Sequence, residues 1–182
     1  MLCGIDEAGR GCLAGPLVVA GAVLKKEVLG LNDSKALSEK ERERLFDILQ
    51  NTTEHKIIFC DNVMVDKIGL SACLKHAIET IKAHFSECDI LMDGNCTFGV
   101  HGIKTMVKAD AKIPEVSAAS ILAKVSRDRY MKEIAPLYPD YGFEGHKGYG
   151  SAYHVKKIKE HGYCALHRQS FKIKELHQPS LF

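Results

Sequence analysis

At 182 residues, with 46% apolar and 26% charged side chains and a formal net charge of +2, the chain has the make-up of one ordinary globular domain. Disordered, collagenous and fibrous classes are excluded. So is a membrane-spanning segment of ~18 uninterrupted apolar residues, and Asp6, Glu7 and Arg10 stand where a secretory signal would be apolar. The seven scattered cysteines form no C-x-x-C pair, which argues against zinc ribbons and disulfide scaffolds and for reduced thiols in the cytoplasm.

In chain order, apolar runs predict strands over about 2–8 and 17–24, joined by a glycine-rich turn. Ser38 with Glu41 three residues on forms a capping box that opens a charged helix to about Gln50. Ile57 to Cys60 reads as a third strand, and Ser71 to Phe85 as a helix with Leu74, Ile78 and Ile81 on one stripe. Short strands follow at Asp89–Met92 and Ile103–Val107, then a long helix from about Pro114 to Ala135. Tyr138 to Gly150 reads as a loop rich in glycine, aromatics and histidine, and Ser151 to about His161 as a basic helix. Early strands followed by strand–helix alternation imply an α/β fold, a mixed sheet covered by helices.

Charge is distributed unevenly. Residues 124–175 carry 11 Lys/Arg against 6 Asp/Glu, a net of +5, while the remainder nets −3. Such a split fits a protein that grips a polyanion with one part and holds cations with another.

The acids are the most telling residues. Asp6 follows Ile5, and Asp93 closes the apolar run Ile90–Met92, so each emerges where a buried strand ends, the place α/β folds put ligand sites. Acids meeting at one sheet edge repel unless a cation neutralises them, and oxygen ligands without a His/Cys cluster point to Mg2+ or Mn2+. Gly9, Arg10 and Gly11 resemble half of a dinucleotide fingerprint, but Pro16 and a strand follow instead of a helix. Paired glycines there permit close backbone approach to a ligand, with Arg10 as a forked donor. Ser117, Ser120, Lys124 and Arg127 share one helix face and read as a phosphate-facing stripe. His154 and His161 share a face of the basic helix and read as phosphate contacts or solvated side chains, while Tyr130, Tyr138 and Tyr141 read as packing residues.

Taken together, Gly4–Gly11, Asp33-Ser34-Lys35, Asp93-Gly94, Lys108-Ala109-Asp110, Ser117–Lys124, Tyr141-Gly142-Phe143, His146–Gly150 and His167–Phe171 resemble the motifs of ribonuclease HII, in the family's order. The Gly9-Arg10-Gly11 triplet separates the chain from ribonuclease HIII, whose corresponding stretch lacks the arginine. One departure is the stretch between the basic helix and His167, shorter than the Pro-containing loop of many bacterial relatives.

The resemblance implies an RNase H-like mixed sheet flanked by helices with a C-terminal helical extension. It implies one catalytic domain over 1–175, its basic 140–175 part completing a substrate groove, and a tail over 176–182. The implied activity is endonucleolytic cleavage of RNA in RNA–DNA hybrids, and 5′ of single ribonucleotides in duplex DNA, leaving 3′-hydroxyl and 5′-phosphate ends. By that similarity Asp6, Glu7, Asp93 and Asp110 would hold two divalent ions. Gly9, Arg10 and Gly11 would read the ribose 2′-hydroxyl, and Tyr149 would stack on the following sugar. Lys35, Ser120, Lys124 and His146 would contact phosphates. The terminal Gln178-Pro179-Ser180-Leu181-Phe182 resembles the bacterial sliding-clamp-binding pentapeptide, with Gln178, Leu181 and Phe182 filling the clamp's groove. The chain is expected to act as a monomer. Two rival readings are another nuclease of the same fold acting on DNA alone, and a non-catalytic duplex-binding module.

Overall fold

The computed structural model describes residues 1–31 and 37–173. Five strands form one mixed sheet: β1 (Leu2–Ala8), β2 (Leu17–Leu24), β3 (Thr53–Cys60), β4 (Asp89–Asp93) and β5 (Lys104–Met106), in the order β3-β2-β1-β4-β5. The first three pair antiparallel, and β1, β4 and β5 run parallel. β1 is thus central, buried on both faces, as its nearly unbroken apolar run requires.

Successive residues of β1 face opposite ways. Cys3 and Ile5 join Leu17, Val19 and Val23 against helix α3 (Leu70–His84), whose Leu74, Ala77, Ile78 and Ile81 are fully buried. On the other face Ala8, Val18, Ala20 and Ala22 pack against α4 (Pro114–Ile134) and α1 (Glu39–Thr52). Small residues bring α4 close: a Cβ on Gly4 would lie 2.3 Å from the main chain of Glu115 and Val116. Ser38 caps α1 by accepting from the Glu41 amide at 3.2 Å, and Pro114 opens α4 at a position where its missing N–H costs nothing.

Two further helices differ from the sequence reading. Asn62–Ile68, to which the sequence reading assigned no element, forms α2, capped by the Asp61 carboxylate on the Met64 amide. Within the expected loop after α4, Phe143–His146 makes a single turn of helix, α5, packed with Tyr141, Met131 and Leu166 in a small separate core. The basic helix α6 spans Ala152–His161. Among the described residues no helix is long and apolar enough to cross a membrane.

Candidate active site

The parallel β1–β4 ladder ends at Ile5↔Met92, so the next residues, Asp6 and Asp93, lie beyond the last β1–β4 pair toward the carboxyl edge. Asp6 is still paired with Ala20 of β2, and Asp93 with Met106 of β5. Glu7 follows Asp6, and the chain then turns through Gly9. These three acids line one cleft of ≈ 300 Å³ together with Gly9, Arg10, Gly11, Ser120, Lys124, Tyr149 and Arg42. A roomier hollow of ≈ 510 Å³ lies along residues 24–31 beside Pro114 and Glu115, but it brings together neither the strand-end acids nor the glycine turn.

Asp6 is buried, on the face of β1 that meets α4, where it accepts hydrogen bonds from the Glu7 amide at 2.8 Å and from the Ser120 hydroxyl. Burial first, then the negative charge of Glu7, pushes its carboxyl up to about 8, with Asp93 adding to the effect. Glu7 lies 3.7 Å from the Arg10 guanidinium, which is itself largely exposed and stands over the Phe98 ring at 5.4 Å. Asp93 accepts from the Ala109 amide at 2.7 Å, tying the end of β4 to the 3-10 turn Ala109–Ala111. Asp110 is buried in that turn, next in sequence to the tie, and is not among the residues lining the cleft.

Among the described residues the ionisable ligand candidates at the cleft are carboxylates with no thiolate or imidazole among them, which suits a hard divalent cation. Among the described residues no three His, Cys, Asp or Glu side chains are drawn close enough to enclose an ion as they stand. Burial first, then the charge of Glu7, disfavours the ionised Asp6 carboxyl, a cost that a bound cation would offset. In donor chemistry the site fits Mg2+ or Mn2+.

The two turn glycines differ in what they need. Gly9 has φ +88°, and a Cβ there would come within 2.1 Å of Arg127 Nε, so the fold itself demands glycine. Gly11 has no atom within 4 Å of where a Cβ would sit. Only something entering the cleft would meet a side chain there. Tyr149 is partly exposed, with Lys124 Nζ 5.0 Å from its ring centroid, and Lys124 also pairs with Asp128 at 3.0 Å.

Some expected contacts are placed elsewhere. Arg127 does not extend the phosphate-facing stripe: it is fully buried and donates to the carbonyls of Pro16, Lys147 and Ala14. The helix period gave it the correct face but could not show that the 146–150 loop covers that face. Ser117 is likewise buried. His154 is neither solvated nor placed for phosphate, being wholly buried against His167, while His161 is exposed. His146 stands outside the cleft lining with both ring nitrogens engaged, by the Tyr141 carbonyl and the Gly148 amide. Tyr141 packs in the small core as read. Lys35, Gln178, Leu181 and Phe182 lie outside the described residues. Arg42 reaches the cleft from α1, and nothing in the sequence distinguished it from the other charges of that helix.

The family model described as Ribonuclease HII matches residues 3–174. The chain belongs to the ribonuclease HII family. A relative from Sulfurovum sp. (strain NBC37-1), named Ribonuclease HII, is 54% identical over 181 residues, covering 100% of this chain and 96% of its own. In structure the chain resembles the ribonuclease HII of the PCNA:RNase HII complex from Archaeoglobus fulgidus, with a TM-score of 0.81, 28% identity, and 100% and 98% of the two chains covered. It also resembles the ribonuclease H2 of Pyrococcus horikoshii OT3, with a TM-score of 0.75, 28% identity, and 94% and 93% covered. The mixed sheet with its helices is therefore an RNase H-like fold, and the chain is a metal-dependent endonuclease of the ribonuclease H class.

Proposed function

We propose that this chain cuts the phosphodiester on the 5′ side of a ribonucleotide, in RNA–DNA hybrids and where a single ribonucleotide is embedded in duplex DNA, leaving 3′-hydroxyl and 5′-phosphate ends. One observation carries the reading: the strand-end acids Asp6, Glu7 and Asp93 share a cleft with Gly9-Arg10-Gly11 and Tyr149. Asp6, Glu7, Asp93 and Asp110 hold the divalent ions, Mg2+ or Mn2+, with Asp110 turning in from beside Asp93. A pair of such ions lowers the pKa of water and neutralises charge on the departing 3′-oxygen.

The chain's own residues position and select. Main-chain groups at Gly9 and Gly11 hydrogen-bond the ribose 2′-hydroxyl, the group that distinguishes RNA from DNA, and the Arg10 fork donates to its oxygen. The open space over Gly11 leaves room for the sugar. Tyr149 stacks on the sugar that follows, and Lys124, Arg42 and Ser120 flank the scissile phosphate. The net +5 of residues 124–175 supplies the long-range attraction for the duplex. Residues 1–175 act as one catalytic unit, in the cytoplasm. The tail docks on a sliding clamp through Gln178, Leu181 and Phe182, a reading supported by the Archaeoglobus relative's structure as a complex with PCNA.

Three duplexes test the reading: one with a single ribonucleotide, an RNA–DNA hybrid, and an all-DNA control. Cutting of the first two alone, 5′ of the ribonucleotide and only with Mg2+ or Mn2+, is the expected result. Equal cutting of the DNA control would favour a general nuclease. No cutting of any of the three, with duplex binding unchanged in Asp6→Asn, would leave only a binding module. For the tail, deletion of residues 178–182 should abolish clamp capture and leave cleavage of short duplexes intact.

A further inference from the structure

Arg127 and Arg168 are the two largest fully buried side chains among the described residues. Burying a guanidinium is costly unless its donors are used, and here the hydrogen bonds go to main-chain carbonyls. Arg127 donates to Pro16 at 2.9 Å, Ala14 at 3.0 Å and Lys147 at 2.8 Å. Arg168 donates to Gly15 at 3.0 Å and to Arg10 at 3.1 Å, while its buried Nη2 finds no partner among the described residues. Arg127 thus joins two segments, the turn after β1 that carries Gly9–Gly11 and the loop that carries Tyr149, while Arg168 holds the turn alone.

The two segments also touch directly, through the Leu13 amide on the Gly148 carbonyl at 2.9 Å, and the Arg168 amide holds the Leu13 carbonyl at 2.8 Å. The Arg127 guanidinium lies 5.3 Å from the Tyr149 ring centroid and is in contact range of Gly9. A planar fork fixes the directions of several carbonyls at once, which an ammonium on a flexible stem does not.

We infer that Arg127 and Arg168 are positioning residues that register the Gly9–Gly11 turn against Tyr149, and so set the enzyme's preference for a ribonucleotide followed by a deoxynucleotide. The inference rests on the reading above that these two elements touch consecutive sugars. A junction requires both readers at a fixed separation. In a continuous hybrid a slightly displaced register still meets a ribose at every step.

The test compares kcat/KM on a single-ribonucleotide duplex and on a continuous hybrid for Arg127→Lys, Arg168→Lys and Gly148→Ala, with melting temperatures alongside. Gly148→Ala prises the segments apart while keeping both guanidiniums, because its Cβ would lie 2.4 Å from the Ala14 carbonyl oxygen that accepts from Arg127. Each variant should lose about tenfold or more on the single ribonucleotide and less than about threefold on the hybrid, chiefly in kcat, as misplacement of a bound substrate does. Tyr149→Ala fixes what loss of the stacking reader alone does to that ratio. If Tyr149→Ala collapses the ratio and the three variants lower both substrates equally, the arginines are merely structural and the inference is overturned. If Tyr149→Ala leaves the ratio intact, the assignment of Tyr149 fails first, and the inference with it. Should a lysine variant not fold, Gly148→Ala decides alone.

Discussion

At Asp6 two demands conflict. The carboxyl is pushed up to about 8 by burial and by Glu7, so in the metal-free protein folding favours its protonated form. A folded pKa above the unfolded one means that the native state binds the extra proton, so stability falls as pH rises from about 4 through 8. Asp6→Asn removes that conflict. It should raise the melting temperature of metal-free protein at pH 8, measured by calorimetry, while reducing cleavage to background. A variant that melts lower at pH 8 would contradict the repulsion. Gly11→Ala and Gly9→Ala should separate in the same spirit. The first should fold with an unchanged melting temperature and lose cleavage of ribonucleotide-containing duplexes. The second forces a Cβ onto Arg127 and a side chain into φ +88°, and should cost more than about 2 kcal/mol on a urea titration.

Among the elements, α2 acts as a brace. Asn62 donates to the carbonyls of Ala165 at 2.8 Å and His167 at 3.3 Å, and Asp66 accepts the amides of Gln169 and Ser170 and the Ser170 hydroxyl. The segment thus held is the one that presents Arg168. Asn62→Ala strands the two carbonyls and should lower stability by about 1–2 kcal/mol in a urea titration. Strands β1, β2 and β4 were legible because a strand buried on both faces writes itself as an apolar run, and the acids at their ends were legible as charges where such a run stops. α2 was not, since seven residues give too short a stripe to separate from a loop. Arg127 was misread for a different reason: periodicity names a face, and only the tertiary fold says that a loop from twenty residues away lies on it. Asp110 was read from a motif, yet its burial follows from the 3-10 turn, which no local pattern announces.

For the whole molecule, acid is the informative variable. His154 Nδ1 bonds the Tyr149 carbonyl at 2.9 Å, its Nε2 meets His167 Nε2 at 3.1 Å, and His167 Nδ1 accepts the Cys164 amide at 2.8 Å. This chain of contacts is satisfied when both rings are neutral, with His167 donating to His154. Burial lowers both to about 4. Because the unfolded chain binds these protons first, the stability they contribute is complete above about pH 6.5 and lost as pH falls toward 4. Melting curves between pH 7 and 4 should show a loss on the order of a few kcal/mol over that window. Replacing His154 by Gln, which keeps a donor for the Tyr149 carbonyl but does not titrate, should flatten the profile.

The β1–β4 ladder carries a last consequence, for the order of events during refolding. Asp6 and Asp93 become neighbours only when the chain's first strand pairs in parallel with one more than eighty positions downstream, and a slip of one residue would send either acid to the wrong side. Local helices form well before so distant a pairing closes. After dilution from denaturant, regain of nuclease activity should therefore lag behind recovery of helical circular dichroism.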